Sequence, residues 1–184
     1  KIDFISTERM IKEFDNLINI GARHFNLADA GFGLKKERDL SFLKHIIDLK
    51  KQLKININLT GYWFWQTLSD EMLELMREII DLGIMGQLDV GIQTFNPVVV
   101  KLMKRPTNFK SFDNVIKKTR KLNIPFQMDL ILGLPGDDLK GFLGSVKNIM
   151  MIEPDKFQTF PLSILPGSDY DRRRKELGIK TMKG

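Results

Sequence analysis

Apolar residues recur along this chain with two alternating periods, one of 3.6 residues and one of two. Met10, Ile11, Phe14, Leu17 and Ile18 fall on one helical face, with Ser6 or Thr7 placed to cap it and Gly21 to stop it. A short strand over 24–28 follows, and then a helix marked by Leu40, Leu43, Ile46, Ile47 and Leu53. Alternation over 55–59 predicts a second strand. Ser69 caps a helix bearing Met72, Leu73, Leu75, Met76, Ile79 and Ile80, which Gly83 ends. The third strand spans 87–94, and Pro97 opens a short helix to Met103. A helix starting at Thr107 or Asn108 carries Phe109, Phe112, Val115, Ile116 and Leu122. Strand 126–132, helix 137–151 and strand 156–162 complete the series.

Strands separated by helices of this length call for right-handed βαβ crossovers and a parallel sheet. The expectation is one α/β domain over 1–184. Five strands are too few for a closed eight-stranded barrel, and the glycine fingerprints of the open nucleotide-binding sheets are missing. An incomplete parallel (β/α) barrel is therefore preferred over a doubly wound sheet.

The stretch from Met128 to Gly136 is the most informative. It reads as a strand buried on both faces, carrying Asp129, that opens into a Gly/Pro turn before the next helix. A carboxylate inside such a run is costly unless it is hydrogen-bonded, and ligands of α/β sheets sit at the carboxyl ends of strands. The strands offer polar groups toward that end: Asn26 and Asp29, Asn58 and Thr60, Gln93 and Thr94, Asp129, and Gln158 and Thr159. Gln93 can donate and accept at once, and Asp129 can accept from two vicinal hydroxyls, so the pair suits a ribose. Gly91 and Gly133 leave room for close approach. Blander readings stand beside these: Asp29 and Asp129 as turn caps, Asn58 and Thr60 as turn-formers, and Gln158 and Thr159 as outward strand positions. Arg105 by default is a surface arginine, and Trp63 and Trp65 are core or interface.

The net charge of +6 comes from 29 basic and 23 acidic residues, concentrated at 117–121 and 172–175. Solvated helix faces are favoured there over a nucleic-acid surface. No stretch has the length and apolarity of a membrane span, and a cytoplasmic setting is the expectation. There is no Cys, which removes thiolate nucleophiles and cysteine-ligated metal centres from these residues. The start at Lys1 rather than Met suggests a piece of a longer polypeptide.

Four segments in order, Gly91-Ile92-Gln93-Thr94, Lys104-Arg105-Pro106-Thr107, Asp129 through Gly136 and Phe157 through Leu162, resemble the radical S-adenosylmethionine enzymes. The likeness is to the Elp3-, MiaB- and HemN-like group, nearest to members that often carry an upstream cobalamin-binding domain. The resemblance implies a partial TIM barrel of which this chain supplies strands 2–6. It implies an S-adenosylmethionine site with Gln93 and Asp129 on the ribose and Arg105 on the methionine carboxylate. Asp29 would lie near the methionine amino group, although the Gly-Gly-Glu of the family is missing there. Gly133, Leu134, Pro135 and Phe160 would wall the adenine. A 4Fe–4S cluster, whose electron cleaves the sulfonium to a 5′-deoxyadenosyl radical, would be held only in the full-length protein, with cobalamin a further candidate there. The chain alone is then expected to be inactive, its exposed barrel edge open to self-association, and its substrate unspecified. The alternatives are a non-radical barrel lyase or isomerase using Asp29 and Asp129 as acid and base, or a non-catalytic binding module.

Overall fold

A computed structural model describes residues 4–29, 32–104 and 107–181. The elements run α1 (Thr7–Asn19), β1 (His24–Leu27), α2 (Lys36–Leu53), β2 (Asn58–Trp63), a 3₁₀ turn (Trp65–Thr67), α3 (Asp70–Asp81), β3 (Leu88–Gln93), α4 (Pro97–Leu102), α5 (Phe109–Lys121), β4 (Phe126–Leu132), α6 (Leu139–Ile152), β5 (Lys156–Pro161) and α7 (Asp169–Arg172). The strands are parallel and lie in the order β1-β2-β3-β4-β5. A doubly wound sheet reverses its strand order part-way, whereas a barrel wound in one direction keeps chain order. The sheet is an unclosed piece of the second type, as expected.

Local signals start the helices where the periodicity placed them. The Ser6 hydroxyl accepts from Arg9 N at 3.2 Å and the Ser69 hydroxyl from Met72 N at 3.3 Å. Each satisfies one of the amide donors that a helix N-terminus leaves open. Asp138 does the same for α6, accepting from Gly141 N at 2.7 Å.

By internal contacts the chain falls into two compact units, residues 1–91 with 109–127 and residues 92–108 with 128–184. The division passes through β3 and β4. In the first unit α1 buries Met10, Phe14 and Ile18, α2 buries Leu40, Phe42, Leu43, Ile46 and Ile47, and α3 buries Met72, Leu73, Leu75, Met76 and Ile79. Aromatic rings run through this core. Phe14 lies 4.5 Å from Phe25 and 5.4 Å from Phe42, Phe32 lies 5.2 Å from Trp63, and Trp65 lies 5.3 Å from Phe112. Both tryptophans are core residues, 3% and 2% exposed. The last three of these ring pairs meet edge-on, a geometry that adds about 0.5–1.5 kcal/mol per pair beyond the area buried.

The second strand sits three residues later than the alternation over 55–59 predicts. Its position is set by pairing with β1, Asn26 against Thr60 and Leu27 against Gly61. Gly61 suits the close pairing, because a Cβ would lie 3.1 Å from Leu27 Cβ and Leu27 would have to give by a few tenths of an ångström. Asn58 and Thr60 are thus strand residues and not turn-formers, and Asn58 opens β2 instead of lying at its carboxyl end. Thr60 Oγ1 donates to the Phe25 carbonyl at 3.3 Å.

Candidate functional site

Six of the eight residues singled out from the sequence, Gln93, Asp129, Gly133, Leu134, Pro135 and Phe160, are described residues of the second unit. Gln93, the last residue of β3, has φ +71°, a left-handed backbone that glycine favours. For a non-glycine residue that conformation costs about 1–3 kcal/mol and persists only where the surroundings over-determine it. They do so here residue by residue. Thr94, 1% exposed, accepts at its hydroxyl from Asn96 N at 3.0 Å. The Ser145 hydroxyl of α6 accepts from Phe95 N at 3.0 Å. Asn96 Oδ1 accepts from Val98 N at 3.0 Å, capping α4, while its amide donates to Asp137 Oδ1 at 2.9 Å.

Asp129 is 3% exposed in the middle of β4, flanked by the fully buried Met128 and Leu130. The strand then turns at Gly133 (φ +85°) and Gly136 (φ +79°), with Leu134 and Pro135 buried between them and Asp137 N donating to the Leu134 carbonyl at 3.0 Å. A Cβ on Gly133 would meet nothing within 4 Å, so its outer side is open to an approaching group. A Cβ on Gly136 would strike Leu102 at 2.4 Å. Leu162 N donates to the Leu132 carbonyl at 2.9 Å, which carries the β4–β5 pairing past Phe160. Phe160 is 40% exposed, and Gln158 and Thr159 are exposed strand positions.

Asp29 belongs to the first unit. Its Oδ2 accepts from Arg38 Nη2 at 2.7 Å. Arg38 Nε also donates to Asp39 Oδ1 at 2.6 Å, and Gly33 N donates to Asp39 Oδ2 at 2.6 Å. Burial pushes the Asp39 carboxyl up against the pull of Gly33 N and Arg38 in the other direction. This cluster clamps the segment between β1 and α2, and it ties Asp29 to Arg38. Arg105 lies outside the described residues. A groove of about 770 Å³ in the first unit, lined by Phe4, Ser6, Lys35, Arg38 and Ser41 among others, contains none of the residues expected to bind a cofactor.

The basic run at 172–175 is met by carboxylates from its own turn. Arg173 bonds Asp169 and Glu176 at 2.9 and 2.7 Å, and Arg174 bonds Asp171 at 2.7 Å. Only Arg172 belongs to α7; Arg173 and Arg174 lie in the turn after it, so this run is a set of ion-paired turn residues and not the helix face expected. Among the described residues no group of three or more His, Asp or Glu is placed to hold a metal, and no helix is long and apolar enough to cross a membrane.

The family model of the radical SAM superfamily matches residues 1–149. The chain belongs to that superfamily. Ribosomal protein uS12 methylthiotransferase RimO of Protochlamydia amoebophila is 27% identical over 171 residues, 88% of this chain and 35% of that protein. Heme chaperone HemW of Buchnera aphidicola is 27% identical over 165 residues, covering 88% of this chain and 43% of that protein. The radical SAM chain thus spans less than half the length of these relatives. Among solved structures, the radical S-adenosylmethionine methyltransferase TsrM of Kitasatospora setae, with cobalamin and a 4Fe–4S cluster bound, superposes with a TM-score of 0.73. That match covers 93% of this chain and 34% of TsrM at 15% identity, a likeness of fold.

Two groups escaped the sequence reading. Arg38 and Asp39 look like ordinary α2 surface charges, and only the fold buries them. The contacts of Asn96 with Asp137 and of Phe95 with Ser145 link residues 41 and 50 positions apart. Their one local trace is Gly141, where a Cβ would lie 2.3 Å from Asp137 Oδ1 and 2.6 Å from Asn96 Nδ2.

Proposed function

We propose that this chain is the S-adenosylmethionine-binding part of a radical SAM enzyme. The observations that carry the reading are a strained Gln93 at the end of β3 and a buried Asp129 on the neighbouring strand, in a chain whose family uses this cofactor. Strain kept at a strand end is commonly spent on function. Gln93 and Asp129 offer amide and carboxylate groups to ribose hydroxyls. Gly133 leaves its outer side open for the adenine, and Leu134, Pro135 and Phe160 supply apolar surface nearby. Arg105 is the proposed partner of the methionine carboxylate, a geometry its guanidinium fork suits.

When bound, S-adenosylmethionine supplies a sulfonium that an electron from a cluster can cleave. The residues present do not fit the cluster, because the chain has no Cys. Its ligands have to come from outside these 184 residues, and this chain's own work is to bind and orient the cofactor. Cobalamin is a second proposed cofactor of the whole protein, supported by the likeness in fold to TsrM. The test is release of 5′-deoxyadenosine by the full-length protein after reconstitution with iron, sulfide and a low-potential reductant. Release by the full-length protein, and none by residues 1–184 alone, is expected. A reconstituted full-length protein that turns over S-adenosylmethionine to no 5′-deoxyadenosine would remove the reading.

A further inference from the structure

We infer that Asp137 and Ser145 are positioning residues that hold Gln93 in its left-handed conformation, so that the loop after β4 aims a side chain at the end of β3. The inference rests on the reading of Gln93 as a cofactor contact. The chain of contacts is continuous. Asp137 is placed by its own amide, which donates to the Leu134 carbonyl at 3.0 Å and so joins it to the Gly133–Gly136 turn. Its Oδ1 accepts from the Asn96 amide at 2.9 Å. Asn96 N donates to Thr94 Oγ1 at 3.0 Å, Phe95 N donates to Ser145 Oγ at 3.0 Å, and the two hydroxyls lie 3.4 Å apart. The three residues that follow Gln93 are therefore each fixed by a side chain, and two of the anchors, Asp137 and Ser145, come from beyond β4.

Two further observations indicate that this bridge is built for position. Asp137 Oδ2 is buried without a hydrogen-bond partner. A carboxylate kept there at the expense of desolvation is a poor way to gain stability. In addition, α6 carries glycine at the one point where a Cβ would push Asp137 and Asn96 apart. The helix gives up propensity at Gly141 to let the bridge close.

The test measures S-adenosylmethionine affinity by calorimetry in the reconstituted full-length protein, with the melting temperature read on each variant. Asp137→Ala is expected to weaken binding about ten-fold. Asp137→Asn keeps an oxygen for the Asn96 amide and is expected to stay within about two-fold of the parent. Gly141→Ala removes no polar group, wedges the bridge open, and is expected to match Asp137→Ala; it also serves should Asp137→Ala fail to fold. The decisive readout is coupling to Gln93. In a Gln93→Ala background, Asp137→Ala or Gly141→Ala is expected to cost less than about three-fold, because its route of action is gone. An equal loss in both backgrounds, or a parent-like affinity for both single variants, overturns the inference. Gln93→Ala and Asp129→Ala serve as the separate control. If both bind as the parent does, the cofactor reading itself fails and the inference falls with it; if they weaken binding while Asp137→Ala and Gly141→Ala do not, only the inference fails.

Discussion

In the unit of residues 1–91 and 109–127, Leu43, Ile46, Leu73, Met76 and Ile79 have no solvent exposure, and ring contacts connect α1, β1 and α2. In the other unit α6 buries only Ser145 and Ile149 among its described residues, Leu139, Leu143, Met150 and Met151 face outward, and all six residues of β5 are exposed. The first unit is organised by apolar packing, and the second by a set of side-chain hydrogen bonds around Gln93. Elements that meet ligands are drawn from the less stable part of a fold, because they must order on binding. On the proposed reading, position and strength are supplied by different parts of one chain.

The largest effect is expected at the polar clamp inside the apolar unit. Arg38→Ala removes the guanidinium that bonds both Asp29 and the wholly buried Asp39. Breaking a buried pair from one side costs about 3–5 kcal/mol, measured as a fall in unfolding free energy in denaturant. A loss below about 1 kcal/mol, the size of an exposed pair, would show that solvent reaches the cluster.

A matched pair of leucines sharpens the contrast. Leu43→Ala, in the first unit, is expected to cost about 2–5 kcal/mol through lost burial and the cavity left behind. Leu143→Ala, on the exposed side of α6, is expected to stay within about 0.5 kcal/mol. Comparable losses at the two sites would mean that α6 is covered in solution. Hydrogen exchange would report the same difference, with β5 amides exchanging faster than those of α2 and α3.

The smallest effect concerns pH. Burial raises the Asp39 carboxyl in the folded state, so the fold binds this proton more tightly than the unfolded chain does. The stability contributed by that proton is fully present below the unfolded value and is lost as pH rises through the folded value. Unfolding free energy of the parent relative to Asp39→Asn is therefore expected to rise as pH is lowered through the carboxylate range. The opposite slope would show that Arg38 and Gly33 outweigh burial.

Much of this architecture was legible because its signals are local. The caps at Ser6 and Ser69 sit one residue before the helices they start, and β4 has the bounds that its apolar run marks. The second strand lies later than the sequence predicts because both 55–59 and Asn58–Trp63 alternate, and pairing with β1 decides between them. The short turn at Trp65–Thr67 and the four-residue α7 carry too few periodic positions to stand out. At the candidate site, residue types were readable, but conformation was not. Nothing in a glutamine announces a positive φ, and nothing in Asp29 announces Arg38, nine residues on.

The central claim is that Gln93 and Asp129 grip the cofactor, and calorimetric titration of S-adenosylmethionine into the full-length protein tests it most directly. Gln93→Ala and Asp129→Ala are each expected to weaken binding by about 1–3 kcal/mol through the loss of buried hydrogen bonds, with the melting temperature showing the variants folded. Parent-like affinity in both folded variants would contradict it.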